Sequence, residues 1–388
     1  MLRDKLLIEN ISDACTACGA CINICPKQCL TMEYDEEGFL YPQVDINKCV
    51  TCHACELTCH VINPPQKALE KVNDIYYAGW HKDESIRENS SSGGAFTLFA
   101  EYILANGGIV FASRYNGERE RLEFADTDHY PLSDFRKSRY IESNTLTVFK
   151  SVKDEIRKGR LVLFCGTPCQ ISGLVKFLRN KPENLLLMDF ICHGVPSNYL
   201  FTLYKRQFER KSKITNVDFR YKNFKQNLGW HQLNLRLEFA DHSEKIIPDR
   251  KSSNYKLFFT NTLLRKSCYK CSYLEKRLSD ITIADFWGVL NVDNIVDDNK
   301  GVSLLVLHTE RMKEFFNKVR NNGIFYEVQE DSVQYAFKNR EKSYSLEARN
   351  ETVAKVKRYG YLSYLKKMYG RQILINNIKD LIKWILRR

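Results

Sequence analysis

Cys15-Thr-Ala-Cys18-Gly-Ala-Cys21-Ile-Asn-Ile-Cys25-Pro26 recurs as Cys49-Val-Thr-Cys52-His-Ala-Cys55-Glu-Leu-Thr-Cys59-His60. Each run holds three thiolates in a tight loop and places a fourth cysteine just beyond it. A cubane iron–sulfur cluster needs four thiolates converging on its corners. Structural zinc is the competing reading, but zinc favours two separated cysteine pairs over a triple run with a trailing cysteine. Gly19 and Ala20 are small, which leaves room for backbone amides to approach the sulfurs and tune a cluster.

In two-cluster ferredoxins the fourth cysteine of each run ligates the other cluster. This pattern assigns Cys15, Cys18, Cys21 and Cys59 to one [4Fe-4S] cluster. It assigns Cys49, Cys52, Cys55 and Cys25 to the second. His60 departs from that pattern, which has proline after the fourth cysteine, but the change removes no ligand. Cys29 stands outside the register and reads as a small buried residue.

Outward from the repeat, the chain has 388 residues, 14 cysteines and a formal charge of +12. An apolar share of 44% supports sizeable cores and argues against general disorder. No apolar run is long enough to span a bilayer, and the first residues lack the apolar core of a signal peptide. The expectation is a cytoplasmic protein, whose thiols stay reduced and serve metal or redox chemistry. Charge is uneven: residues 1–64 carry −5, residues 65–352 +8 and residues 353–388 +9.

After Pro64-Pro65 the texture becomes α/β. A helix is expected over 94–106, ended by Gly107-Gly108, with a strand from Ile109. A helix near 145–158 precedes the strand Leu161-Val-Leu-Phe. A helix near 170–179 precedes the strand from Leu185 to Ile191. Such alternation argues for a layered α/β body. Beyond about residue 213, Leu233-Asn-Leu-Arg-Leu-Glu-Phe alternates with period two, which suggests an antiparallel or mixed sheet. The overall class is therefore α/β, or α+β once the small N-terminal ferredoxin domain (1–64) is included. The body is expected to divide into 65–212 and 213–345, with a basic helical tail over 346–388.

Five cysteines lie in the body. Cys169 and Cys192 each follow a strand, at the carboxyl edge where α/β sheets place ligands. Cys268 and Cys271 form a tight chelating pair. Together Cys169, Cys192, Cys268 and Cys271 suggest a third cluster, with zinc or a redox dithiol as the alternatives. Cys165 reads as core. Ser91, Ser92, Gly93 and Gly94 open a helix and form the best candidate for phosphate contact. Lys137, Arg139 and Tyr140 form a second basic and aromatic group. No Walker A loop or Gly-x-Gly-x-x-Gly follows any strand.

The combination resembles the coenzyme F420 hydrogenase/dehydrogenase beta-subunit family. The matching stretches are Ser-Ser-Ser-Gly-Gly-Ala-Phe-Thr (90–97), Lys-Ser-Arg-Tyr-Ile-Glu-Ser (137–143) and Leu-Phe-Cys-Gly-Thr-Pro-Cys-Gln (163–170). They continue with Asp-Phe-Ile-Cys-His-Gly-Val-Pro-Ser (189–197), Ser-Cys-Tyr-Lys-Cys (267–271) and Ser-Asp-Ile-Thr-Ile-Ala-Asp-Phe-Trp-Gly (279–288). The resemblance implies an iron–sulfur flavoprotein that binds FAD near Ser91–Gly94, Lys137–Tyr140 and Gly166, Thr167, Pro168 and Gln170. Ala284 stands where many relatives have glycine.

The function this implies is an oxidoreductase that passes electrons between the head clusters and a hydride substrate through FAD. A bacterial branch with Cys-His-Gly-Val-Pro-Ser and Asp-Phe-Trp-Gly also points to surface-polysaccharide metabolism. The alternatives are an electron-transfer subunit of a larger complex and an F420-dependent enzyme. His193, Asp285 and Trp287 are the candidate substrate-side residues, although a histidine beside a cluster ligand also serves as a hydrogen-bond donor to sulfur. The expected partners are an electron-carrier protein and a small or sugar-linked substrate. An oligomer is also considered. Nucleic acid is not expected, because no recognised motif accompanies the basic tail. Residues 371–388 read as an amphipathic helix with Leu374, Ile378, Leu381, Ile382 and Ile385 on one face, opposite Asn376, Lys379, Asp380, Lys383 and Arg387. With Trp384, this helix suits either peripheral contact with the inner membrane face or docking onto protein.

Overall fold

The computed structural model describes residues 7–65, 73–274, 276–289, 292, 295–338 and 345–385. The cysteine repeat of the head recurs in its backbone. Ala17 and Gly19 in the first loop, and Thr51 and His53 in the second, all have left-handed φ angles, between 50° and 76°. This curls each loop inward, so that the Ala17 and Thr51 amides donate to Cys15 Sγ and Cys49 Sγ, both at 3.4 Å. A short helix follows each triple, Ala20–Ile24 and Ala54–Thr58. Between them, β1 (Leu30–Tyr34) pairs antiparallel with β2 (Leu40–Val44).

The body contributes β3 (Ile75–His81), β4 (Ile109–Asn116), β5 (Arg121–Asp126), β6 (Ser143–Asn144), β7 (Val162–Cys165) and β8 (Leu185–Phe190). It continues with β9 (Ile214–Tyr221), β10 (Asn234–Phe239), β11 (Glu244–Ile247), β12 (Ile281–Asp285), β13 (Ser303–Leu307) and β14 (Gly323–Val328). Nine of these form one mixed sheet in the order β14-β3-β13-β12-β8-β7-β4-β5-β6. Its centre is parallel, β12 beside β8 beside β7 beside β4. Strands from both sides of residue 213 therefore build one sheet. Separately, β9, β10 and β11 form an antiparallel sheet.

Both faces of the large sheet are covered. Alternate residues of β7 point to opposite sides. Phe164 packs with Phe149, Ile171, Leu174 and Phe177 on one face. Leu163 packs with Leu98, Phe99, Ile103 and Phe316 on the other. The helices expected from sequence appear as Ala95–Ala105, Val148–Arg157 and Pro168–Leu178. Cys18 and Ala20 of the head join the Phe164 core, so the head docks on that face.

A buried ion pair fixes the junction. Arg265 donates to Glu142, to Cys15 O and to Leu40 O, each at 2.6 Å. Glu142 also accepts from the Leu40 amide at 2.9 Å. The tail divides at Gly360, whose φ is 76°. The helix Leu346–Tyr359 and the first turns of Tyr361–Ile385 pack into the body, with Tyr361, Tyr364 and Leu365 in a core shared with Phe201, Tyr204 and Tyr255. No helix among the described residues is long and apolar enough to cross a membrane.

Candidate iron–sulfur and cofactor site

Two cavities in the head are lined by the crossed cysteine sets. One is walled by Cys15, Cys18, Cys21 and Cys59. The other is walled by Cys25, Cys49, Cys52 and Cys55, and by Cys29 as well. Cys29 is buried as its sequence setting suggests, but its sulfur lies 3.4 Å from Cys25 Sγ. It reaches the cavity because β1 begins beside it. Burial pushes Cys18 and Cys21 well above the ordinary thiol value, and Cys55 up to about 11. A thiol held this way becomes a thiolate when a cation replaces its proton, which is what iron does. Among the described residues, no three His, Cys, Asp or Glu side chains close on a single ion. A cubane is wider than one ion and holds its sulfurs farther apart.

In the body, Cys169 occupies the first turn of the helix Pro168–Leu178. Thr167 and Gln170 cap that helix reciprocally, and Thr167 Oγ1 lies 3.1 Å from Cys169 Sγ. Gln170 also donates to Ser143 Oγ. Contacts at 166–170 thus hold the cysteine-bearing helix end. Burial pushes Cys169 up to about 12, and the nearby Cys192 and Cys271 contribute in the same direction. The fold therefore brings three of the four cysteines expected at a third cluster, Cys169, Cys192 and Cys271, near one another from distant segments. Cys268 lies on the turn Lys266–Lys270, where its amide donates to Arg265 O.

The head and body cysteines meet across the helix Pro168–Leu178. A Cβ on Gly173 would stand 2.7 Å from Cys18 Sγ, so only glycine admits the head loop there. Burial, with the nearby Cys169, Cys18 and Cys271 sulfurs adding to it, pushes the Tyr273 phenol above its ordinary value. Its hydroxyl hydrogen-bonds with His60 Nδ1, and His60 Nε2 lies 3.0 Å from Thr16 Oγ1. Burial, aided by Lys176, pushes His60 down to about 3 and keeps the ring neutral. The residue that departs from the ferredoxin pattern thus adds a further link between head and body, beside Arg265 and Glu142.

A second constellation forms at the serine loop. Ser91 Oγ accepts from the Ser138 amide at 2.6 Å and lies 3.1 Å from Ser138 Oγ. Arg220, from β9, donates to Ser91 O at 3.1 Å, to the Tyr140 hydroxyl at 3.0 Å and to Asp285 at 2.5 Å. Burial opposes the Arg220 charge, but Asp285 and Tyr140 outweigh it and raise the pKa. Lys137 pairs with Asp218 at 2.5 Å. Lys222 donates to the carbonyls of Arg87, Ser92 and Lys300 at 2.5, 2.9 and 2.7 Å. Three acceptors match the three N–H donors of an ammonium, although burial and neighbouring cations push its pKa well below the usual lysine value. Trp287 stacks on buried Trp230 at 4.5 Å and remains 40% exposed.

Other expected residues occupy different positions. A Cβ on Gly93 would meet Gly79 O at 2.3 Å and Ser303 N at 2.8 Å, and the Gly93 amide donates to Ser303 Oγ. Gly93 thus packs against the sheet and offers no open phosphate cradle. Ser92 Oγ pairs with Ser303 Oγ at 2.9 Å. Gly94 is the left-handed cap of the helix Ala95–Ala105. Arg139 is half-buried and donates to the Lys137 and Asp134 carbonyls of its own loop and to the Ser113 carbonyl of β4, so it ties the loop to the sheet. His193 packs on Phe258 and Phe259, one aromatic layer from Tyr140. Sequence reasoning missed Arg220, Lys222 and Ser138. The only signal the sequence offers for Arg220 and Lys222 is their i, i+2 spacing in Phe-Arg-Tyr-Lys (219–222), which puts two cations on one side of an extended segment.

Two stretches of the chain match known protein families. Residues 159–333 match the C terminus of the coenzyme F420 hydrogenase/dehydrogenase beta subunit, and residues 14–62 match the 4Fe-4S dicluster domain. Residues 159–333 are thus similar to that beta-subunit family, over a little under half of the chain. The chain is 23% identical over 318 residues to the coenzyme F420-dependent sulfite reductase of Methanocaldococcus jannaschii. That alignment covers 79% of this chain and 46% of the relative, so the chain spans about half the relative's length. A chain of the F420-reducing [NiFe] hydrogenase complex from Methanosarcina barkeri is similar with a TM-score of 0.48 and 16% identity, over 76% of this chain and 94% of that one. The beta-subunit region holds Cys169, Cys192, Cys268, Cys271, Arg220 and Asp285, whereas the serine loop precedes it.

Proposed function

We propose that the protein is an iron–sulfur flavoprotein oxidoreductase that exchanges single electrons through its head and a hydride at the serine-loop site. The observation that carries this reading is the junction at Gly173 and Tyr273. There the head cysteine loop meets the cysteine-bearing helix of the body with no intervening layer. Cys169, Cys192, Cys268 and Cys271 would hold a third cluster beside it.

The donor set at the serine loop suits an anionic, ring-bearing cofactor. Hydroxyls of Ser91 and Ser138, the cations Lys137 and Arg220 and the phenol of Tyr140 converge there. These residues would hold FAD, and Gly93 would not contact it. FAD supplies the exchange between a hydride pair and single electrons. The Arg220 guanidinium fixes the position of the Asp285 side chain, so Asp285 orients the site. Trp287 presents an apolar face for a planar substrate ring. His193 is set back behind Phe258.

The similarity of residues 159–333 to the coenzyme F420 hydrogenase/dehydrogenase beta subunit favours a deazaflavin such as coenzyme F420 as the hydride partner, and sugar-linked acceptors are the competing class. Anaerobically purified protein is expected to carry flavin absorbance and about twelve irons. Iron near eight with zinc present would remove the third cluster, and absence of flavin after gentle purification would overturn the reading. Photoreduced protein offered coenzyme F420 and sugar-linked acceptors separately then assigns the substrate class.

A further inference from the structure

The helix Tyr361–Ile385 is attached to the body by the opposite side from the one expected of an amphipathic helix. Beyond its buried first turns, its polar side faces inward. The Asn376 side chain donates to Arg250 O at 2.7 Å, and Asp380 pairs with Arg250 at 2.9 Å and Lys251 at 2.5 Å. Leu374, Ile375, Ile378, Leu381 and Ile382 face away and are 37–59% exposed. Helices normally bury the apolar stripe and solvate the polar one. The side chains of Lys383, Trp384 and Ile385, and residues 386–388, lie outside the described residues.

Charge selects the occupant. Lys367 and Arg371 lie on the exposed stripe, seven and three residues before Leu374, and Lys379 flanks it. The single acid of 353–388, Asp380, is taken up by Arg250 and Lys251. Two such faces brought together would repel, which disfavours a second copy. An anionic surface with an apolar interior satisfies both the leucine–isoleucine stripe and its cations.

We propose that this helix lies in the headgroup layer of an anionic bilayer, with Leu374, Ile378, Leu381 and Ile382 inserted and Lys367, Arg371 and Lys379 at the phosphates. The inference is independent of the redox reading. It is tested by flotation of cluster-loaded full-length protein with vesicles of mixed phosphatidylglycerol and phosphatidylcholine, against phosphatidylcholine alone. Binding to anionic vesicles is expected to be at least roughly tenfold tighter, and weaker in high salt. Ile378→Glu with Leu381→Glu should abolish it while iron content and thermal midpoint stay unchanged, since both side chains are exposed. Lys367→Glu with Arg371→Glu should remove the preference for anionic lipid. Equal flotation of the Ile378→Glu/Leu381→Glu protein would overturn the proposal. So would absence of vesicle binding together with a dimer in sedimentation equilibrium that the same variant dissociates.

Discussion

Removing Arg265 should loosen the head from the body without unfolding either. Its guanidinium is buried and bonds to Glu142, Cys15 O and Leu40 O. In Arg265→Met the Glu142 carboxylate stays buried without its cation, and two carbonyls lose their donor. Breaking one side of a buried pair costs about 3–5 kcal/mol, a large share of the ~5–15 kcal/mol that holds a protein folded. That cost falls on the junction, because both carbonyls belong to the head and Glu142 to the body. Burial raises the Glu142 pKa, and Arg265 opposes that rise. Without Arg265 the folded pKa climbs further. A carboxyl raised in this way contributes stability fully present below its unfolded pKa and lost as pH rises through its folded pKa. The Arg265→Met defect should therefore shrink in acid and grow toward neutrality. Hydrogen exchange on anaerobic, cluster-loaded protein reads it directly, as faster exchange around Cys15 and Leu40 with the central strands β7 and β8 unchanged. Adding Glu142→Gln to Arg265→Met should recover at least about 2 kcal/mol against the sum of the single variants. Unchanged exchange at Leu40, or a defect that worsens in acid, would falsify this account of the junction.

Gly173→Ala should displace Cys18, because the new Cβ meets its sulfur at 2.7 Å. About 1–3 kcal/mol of overpacking is expected as a lower thermal midpoint and loss of iron from one head cluster. His60→Pro restores the residue common in ferredoxins and removes the bond to Tyr273. Iron content should stay constant while stopped-flow reduction of the body from the head slows, and unchanged transfer would remove Tyr273 and His60 from the path. Arg220→Met should weaken flavin retention by roughly 10–100-fold, the equivalent of about one charged hydrogen bond. Arg220→Lys should recover part of it, because an ammonium lacks the planar fork, and dialysis followed by absorbance measures both.

Much of the head was legible because its information is local. Four cysteines at fixed spacing specify a loop, and the repeat specifies two. The backbone repeats the same left-handed turns at Ala17 and Gly19 and at Thr51 and His53. The alternation of strands and helices between 94 and 191 was legible for the same reason, through period and punctuation. The serine loop was legible only as a segment. Sequence suggested a glycine cradle there, whereas packing against Gly79 and Ser303 commits Gly93 to the sheet and leaves Ser91 beside Ser138.

The sequence by itself determined the two cluster-binding runs, the α/β body and the helical tail, because each rests on neighbours within a few turns of chain. Only the tertiary structure decided which distant groups meet. It set Arg220 from β9 against Asp285, Tyr140 and Ser91, and Arg265 against Glu142. It also set Gly173 beneath Cys18, and turned the apolar stripe of the last helix outward by pairing Asp380 with Arg250 and Lys251. Such pairings depend on long-range chain closure, and no local period or spacing encodes them.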